Sequence, residues 1–272
     1  YKGVSDIVND PNNIDAIEKG YPKKSLTRRN TGYALDFLTP EEGKDNFNMC
    51  ELIAGSEGTL VFVTEAKLKL LPLPPKQEAL VCAHFNTLAE SLLANIIILK
   101  HQPMASELVD KYIMDFTKGH PVYQHNRFFI EGEPEALLMV EFFAETQQEL
   151  DLKTSALIAD LKAAGLGYAF PVVYGAQTKL AWDVRKAGLG LIRNLPGDNQ
   201  PVNLIEDCAV APEDLPAYIE ELQLLLDRHN LKASYYAHAG AGELHVEPMI
   251  NLKTSEGKEL FRTVLKETAV LV

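Results

Sequence analysis

Cysteine is scarce in this chain: Cys50, Cys82 and Cys208 stand far apart among 272 residues, and no C-x-x-C pair occurs. That spacing argues against a zinc ribbon, a redox dithiol or an iron–sulfur cluster built from these residues, and it fits a reducing, cytoplasmic compartment. No run is apolar for long enough to span a bilayer, and no charged-then-apolar leader opens the chain, so neither a membrane anchor nor a secretion signal is expected. Positive charge is in deficit, with 26 Lys and Arg against 38 Asp and Glu for a formal net charge of −12. That sign disfavours general binding to nucleic-acid phosphates or anionic lipid, because both would be repelled. Internal repeats and low-complexity segments are missing too. What remains is ordinary globular composition, 46% hydrophobic and 24% charged, in a chain long enough for one large domain or two smaller ones.

Residues 1 to about 48 are polar and punctuated by Pro11, Pro22, Pro40, Gly3, Gly20, Gly32 and Gly43, which predicts loops and short helices. Leu60 to Leu70 opens with β-branched residues and then alternates at Ala66, Leu68 and Leu70, the pattern of a half-buried strand. The prolines at 72, 74 and 75 lock φ and remove ladder donors, so the run from Pro72 to Pro75 reads as a stiff linker between a domain over 1–75 and another over 76–272. Beyond it, strands are expected at 79–85, 136–143, 169–174, 234–238 and 244–249. Helices alternate with them. Thr87 with Glu90 and Thr146 with Glu149 have capping-box spacing, while Leu215, Ile219, Leu222 and Leu226 line one helical face after Pro212. Gly165 and Asn230 are placed to end two of these helices. The expected fold class is α+β, an antiparallel sheet with helices on one face. The chain begins at Tyr1, and Glu256 to Val272 reads as a helix running to the last residue, so both ends read as interrupted.

Three constellations carry chemistry. In the first, Arg28 to Tyr33 is followed by Gly55-Ser-Glu-Gly-Thr-Leu60. Two glycines flanking Ser-Glu let main chain approach a bulky ligand and aim N–H groups and the Ser56 and Thr59 hydroxyls at its oxygens. A glycine-rich hairpin turn has the same local pattern. Arg28 and Arg29 could neutralise a phosphate there, although ordinary solvated charges fit them slightly better. In the second, His238 and His245 flank a turn that Gly240 and Gly242 permit, which offers two imidazoles to one metal ion. Such a pair can equally be structural or exposed. In the third, Trp182-Asp-Val-Arg185 on a helix presents a guanidinium shaped to grip a carboxylate bidentately; an exposed arginine on an amphipathic helix would look the same. His84, His101, His120, His125 and His229 lack metal spacing and read as surface or capping residues.

Asn30-Thr-Gly-Tyr33, Gly55-Ser-Glu-Gly-Thr-Leu60 and the run ending Lys69-Leu-Leu-Pro-Leu-Pro resemble the closing part of the FAD-binding domain of vanillyl-alcohol-oxidase-type flavoproteins. The branch most similar contains D-2-hydroxyglutarate dehydrogenase, D-lactate dehydrogenase and the D subunit of glycolate oxidase. The resemblance implies Asn30, Gly55, Ser56, Glu57, Gly58 and Thr59 as FAD contacts. The glycine-rich pyrophosphate loop that precedes this segment in the family is not seen, so the chain by itself is expected to hold FAD weakly or not at all. His238-Ala-Gly-Ala-Gly-Glu-Leu-His245 is similar to the signature of the family's C-terminal, ferredoxin-like substrate domain. There both histidines face the flavin and, in several members, bind a divalent metal such as zinc. The family's third ligand comes from a downstream Gly-Glu-His-Gly motif, absent here, and Ala241 stands where many members have Asp. The Trp-x-x-Arg helix implies Arg185 as anchor for the substrate carboxylate.

The sequence from Arg185 to Leu191, with Ile205 to Pro212, resembles large bacterial members in which this module is fused to an iron–sulfur region. Cys208 stands where many relatives have Thr and is given no catalytic role. Expected partners are a small 2-hydroxy acid (D-lactate, D-2-hydroxyglutarate or glycolate class) and the remainder of the parent chain. The implied activity is FAD-dependent oxidation of that acid by hydride transfer, with His238, His245 and Arg185 as its machinery, and a metal or an imidazole drawing the proton from the hydroxyl. Two rival classes remain: a metal-dependent hydrolase using His238, His245 and Glu243 or Glu206, and a non-catalytic ligand-binding module.

Overall fold

The structure, a computed structural model, describes residues 1–24, 26, 28, 32–40 and 47–272. It divides into two compact units, Tyr1–Pro72 and Leu73–Val272. The first contains α1 (Lys2–Val8), α2 (Pro11–Gly20) and α3 (Met49–Ala54) around Val8, Leu38 and Leu52. Proline at the first position of α2 already has helical φ, and Asp10 caps the helix by accepting from the Asn12 N–H.

The strand expected over Leu60–Leu70 does not form. Residues 60–70 join no ladder, and Phe62, Leu68 and Leu70 are 91%, 79% and 86% exposed. Alternation specifies which side chains share a face, but a strand also needs a neighbour for its N–H and C=O groups. No strand occurs among the described residues of this unit.

The second unit is an eight-stranded sheet. Its elements are β1 (Gln77–Phe85), α4 (Leu88–Lys100), β2 (Ala105–Asp110), α5 (Lys111–Phe116), β3 (Ala136–Ala144), α6 (Gln147–Ala163), β4 (Val172–Tyr174) and α7 (Ala176–Ile192). They continue with β5 (Gln200–Pro201), β6 (Ile205–Ala209), α8 (Leu215–Arg228), β7 (Ala233–His238), β8 (Glu243–Ile250) and α9 (Ser255–Leu271). The order across the sheet is β4-β1-β3-β2-β7-β8-β5, with β6 also on β8, and every pairing is antiparallel. The order β4-β1-β3-β2, with α4 and α6 as crossovers, is the split β-α-β arrangement of a ferredoxin-like fold. The elements β6, α8, β7, β8 and α9 repeat the same connection order, and β2 and β7 join the two halves. The sequence shows no such repeat, because topology is kept by burial pattern rather than by residue identity.

Helix ends follow the sequence signals. Thr87 and Thr146 cap α4 and α6 by accepting from the Glu90 and Glu149 N–H groups. Gly165 and Asn230 take left-handed φ just past α6 and α8, and the next residue in each case returns its N–H to a carbonyl in the last turn.

The helices α4, α6, α8 and α9 bury Leu92, Ile98, Leu150, Leu157, Ile219, Leu222 and Val264, which form one core on β1, β3, β7 and β8. This is the helical layer anticipated from sequence. The opposite face differs from that expectation because it is not bare: Leu80, Cys82, Leu137 and Met139 lie there under Ile113 and Met114 of α5 and Ala181, Val184 and Ile192 of α7. Gly188 allows this approach, since a Cβ there would stand 2.1 Å from the Ile113 Cγ2. His84 is another departure. It is fully buried, with Nδ1 on the Cys82 carbonyl at 2.8 Å and Nε2 accepting from the Glu131 N–H at 3.1 Å. No described helix is long and apolar enough to cross a membrane.

Candidate functional site

The hairpin of β7 and β8 builds the centre of the site. Its register sets Tyr236 opposite His245 and His238 opposite Glu243, and strand alternation turns all four away from the helical layer, where Ala237, Leu244 and Val246 are buried. The Tyr236 and His245 rings stack at 4.6 Å between centroids, and His238 meets His245 edge-on at 5.4 Å. The turn is held tightly. Gly242 has φ +70°, and a Cβ on it would lie 2.0 Å from the Val210 carbonyl oxygen. From below, the buried Asn95 of α4 donates to the Ala239 carbonyl at 2.8 Å and accepts from the Ser106 hydroxyl at 2.8 Å.

Arg185 arrives from α7. Ala181 and Val184 seat that helix on the apolar part of the sheet face. Trp182 and Arg185, one turn apart on its neighbouring side, reach two carboxylates. Trp182 Nε1 donates to Glu141 at 3.1 Å, and Arg185 Nη2 pairs with Glu107 Oε2. Glu107 also receives His238 Nδ1 on both oxygens, at 2.9 and 3.0 Å. The structure therefore brings His238, His245 and Arg185 into one cluster, joined by a residue that sequence reasoning missed. Glu107 lies on β2, a six-residue strand that did not stand out because Ser106, Glu107 and Asp110 break its apolar pattern. Glu141 and Glu247 were missed for a similar reason, as single acids within strands that read as apolar.

Electrostatics set the protonation of these groups. Burial pushes the His245 imidazole below its ordinary value, and His238 and Arg185 add to that, against Asp207 and Glu206, which act in the other direction. Glu247 is raised by burial and Tyr236 is raised for the same first reason; the two share a hydrogen bond of 3.3 Å. Glu141 is raised by burial, opposed by the Trp182 hydrogen bond.

The donor set fits a divalent cation. His238, Glu243 and His245 each offer one ligand atom, all within 4.8 Å of one another. His245 Nδ1 is buried without a hydrogen-bond partner, its nearest acid being Asp207 at 3.6 Å. Two imidazoles and a carboxylate match the ligand preference of zinc-like ions, and an unpartnered buried nitrogen is what such an ion would satisfy. Among the described residues this is the one group of three or more His, Cys, Asp or Glu placed to hold a metal.

The glycine-rich segment lies in the first unit. Glu57 and Gly58 take consecutive left-handed φ values of 49° and 73° after α3. Ser56 is buried and its hydroxyl donates to the Ile53 carbonyl at 2.8 Å, while the Thr59 hydroxyl donates to the Ser56 carbonyl at 2.6 Å and meets the Tyr33 hydroxyl at 2.8 Å. Both hydroxyl protons thus serve the turn itself, which differs from the expectation that they point at a ligand. Asn30 and Arg29 lie outside the described residues. Cys208 is half-buried and, like Cys50 and Cys82, free.

Comparison with known proteins agrees with the motifs. Over 265 residues the chain is 31% identical to D-2-hydroxyglutarate dehydrogenase of Pseudomonas putida, and over 267 residues 32% identical to the protein of that name from Haemophilus influenzae. Each match takes in 94% of this chain and 26% of the relative, so the chain spans little more than a quarter of those proteins. D-lactate dehydrogenase of Archaeoglobus fulgidus is 25% identical over 230 residues, 84% of this chain and 48% of that one. Among solved structures, alkyldihydroxyacetonephosphate synthase aligns with a TM-score of 0.56 at 16% identity, over 85% of this chain and 46% of its own, a likeness of fold. Residues 74–272 match the family model described as FAD linked oxidases, C-terminal domain. With that model covering most of its length, the chain belongs to the FAD-linked oxidase C-terminal domain family.

Proposed function

We propose that this chain supplies the substrate-binding and proton-handling side of an FAD-dependent dehydrogenase of 2-hydroxy acids. The observation that carries the reading is Arg185. Its side chain is only 17% exposed, its Nε donates to no acceptor among the described residues, and it shares Glu107 with His238, whose ring meets His245. A buried N–H without an acceptor is costly, and a carboxylate ligand is the partner whose shape suits a guanidinium edge.

In this reading Arg185 binds the substrate carboxylate and fixes the α-carbon. The hydroxyl then lies toward His238 and His245, and an imidazole held neutral by burial can accept its proton at a free ring nitrogen. Tyr236, stacked on His245, fixes that ring's plane. Bound FAD would supply the acceptor for the hydride leaving the α-carbon. Glu57 and Gly58 fit close approach of main chain to that cofactor, with Gly55, Ser56 and Thr59 shaping the turn. Where a divalent cation occupies His238, Glu243 and His245 instead, it would supply a Lewis acid for the hydroxyl oxygen in place of the imidazole base. Charge favours a cation here, because Glu107, Glu206, Asp207, Glu243 and Glu247 outnumber Arg185 and Arg193 around the two histidines.

The test is anaerobic reduction of the flavin-loaded full-length protein by D-2-hydroxyglutarate, D-lactate and glycolate in turn, followed by bleaching of the visible flavin band. Reduction by at least one of them is expected. Absence of reduction by every 2-hydroxy acid, in a protein that retains flavin, would overturn the reading.

A further inference from the structure

We infer that Glu107 is a positioning residue that selects the ring nitrogen His238 offers to a cation and holds the Arg185 guanidinium beside it. The inference rests on the cation-binding part of the function proposed above and goes further, to a residue outside the ligand set and outside every motif read from the sequence.

The geometry is that of a shared carboxylate. Glu107 stands on β2, the strand joined to β7, one position from the Leu108–Ala237 pair, so its side chain emerges next to His238 on the same sheet face. Both carboxylate oxygens lie within hydrogen-bond distance of His238 Nδ1, at 2.9 and 3.0 Å, and Oε2 also meets Arg185 Nη2. The Glu107 side chain is 14% exposed. An acceptor-only group facing Nδ1 requires the proton on that nitrogen, which leaves Nε2 with its lone pair free to bind a cation. A carboxylate behind a ligating imidazole fixes ring orientation and makes the other nitrogen a better donor, and its loss from metal sites weakens affinity by about ten- to a hundredfold.

The same carboxylate bears on the charge of the pair. Two positive groups sharing a partly buried site repel, and a nearby anion offsets the repulsion. Glu107 touches both Arg185 and His238, so its charge would offset repulsion between the guanidinium and a cation held by that imidazole. Arg185 Nε is left without an acceptor, so one part of the guanidinium is tied to the protein and another remains available to a ligand. One residue thereby fixes both the tautomer of a metal ligand and the location of the proposed substrate anchor.

Cobalt(II) titration of the chain, read by calorimetry and by the ion's visible absorption, tests this, together with nitrogen-15 histidine spectra of the metal-free protein. Wild type is expected to bind one ion, and His238 is expected to be protonated on Nδ1. Glu107→Gln keeps the shape and an oxygen acceptor but removes the charge, and should weaken binding about tenfold; Glu107→Ala should weaken it toward a hundredfold and mix the His238 tautomers. Asp160→Asn, at an exposed acid bonded to His101 in the helical layer, should leave affinity unchanged and serves as control. Unaltered affinity and tautomer in both Glu107 variants would overturn the inference. So would failure of the wild-type chain to bind cobalt, but that result leaves oxidation with an imidazole base intact, since flavin reduction is measured separately. Should Glu107→Ala not fold, the near-isosteric Gln variant decides.

Discussion

The two halves of the sheet share a connection order and differ in what they place on the face away from α4, α6, α8 and α9. Across β1 and β3 that face holds Leu80, Cys82, Leu137 and Met139, sealed under α5 and α7. Across β7 and β8 it holds Tyr236, His238, Glu243, His245 and Glu247. The first half is scaffold. Its apolar surface recruits α7, and α7 then carries Arg185 to the border with the second half, where β2 presents Val109 to the apolar cluster and Glu107 to the ionisable one. Packing on one side thus delivers a guanidinium to the ionisable cluster on the other, and under the proposed function the two should separate experimentally into groups whose loss harms stability and groups whose loss harms turnover.

The largest expected effect is on the ionisable half. In the flavin-loaded protein, His245→Ala should lower the rate of flavin reduction by roughly 10²–10⁴, the usual contribution of a positioned acid or base, with the melting temperature near wild type. Arg185→Ala should act mainly through the substrate concentration needed for half-maximal rate. Stopped-flow reduction over a range of substrate concentrations separates the two. Equal loss of melting temperature in both variants would mean that the ionisable cluster is holding the fold rather than serving a site.

The apolar half should behave in the opposite way. Leu137→Ala removes a fully buried side chain beneath α5 and α7 and should cost about 2–5 kcal/mol of stability, as core cavities do. Urea unfolding measures it, and cobalt affinity of the folded variant should stay at the wild-type value. A variant as stable as wild type would show that this face is loosely packed.

Legibility from sequence followed the same division. The expected strands and helices of the second unit formed, with the strand expected at 169–174 shortened to Val172–Tyr174, because each carries a local signal that agrees with its surroundings: Thr caps three residues ahead of Glu, left-handed Gly165 and Asn230, and a helical stripe at Leu215, Ile219, Leu222 and Leu226, all buried. Leu60–Leu70 carried an equally clear alternation and formed no strand, because a ladder is a relation between segments and the described residues of that unit offer no second one. In the site, His238, His245 and Arg185 were legible through motif spacing. Glu107 was not, since nothing local marks an acid in a short strand as the neighbour of a histidine 131 residues away. Sequence shows the residues that chemistry selects; the one joining them emerges only from register.

Gly188 lies where the halves depend on each other. A methyl at this position would meet Ile113 at 2.1 Å, so Gly188→Ala should push α7 off α5 at a cost of about 1–3 kcal/mol, typical of overpacking. Because Arg185 is almost one turn earlier on the same helix, the displacement should also weaken substrate capture. A melting temperature and a half-saturating substrate concentration that move together support the coupling. Loss of stability with unchanged capture would show that α7 pivots without carrying its arginine.

The smallest effect belongs to a histidine with no part in the site. Burial holds the His84 imidazole below its ordinary value, and its two ring nitrogens serve the Cys82 carbonyl and the Glu131 N–H, an arrangement possible only for the neutral ring. The unfolded chain therefore takes up a proton near the ordinary histidine value, while the folded protein resists until the pH is lower. The stabilisation is fully present above the unfolded value and is lost as pH falls through the folded one. Asp110, raised to about 6 by burial, works in the opposite direction, its folded form binding a proton more readily than the unfolded chain. Comparing wild type with His84→Gln cancels the Asp110 contribution, so the difference between their melting temperatures should narrow on going from neutral to mildly acidic pH. A constant difference would mean that His84 is protonated alike in both states, and the scaffold half would then be as insensitive to pH as its apolar lining suggests.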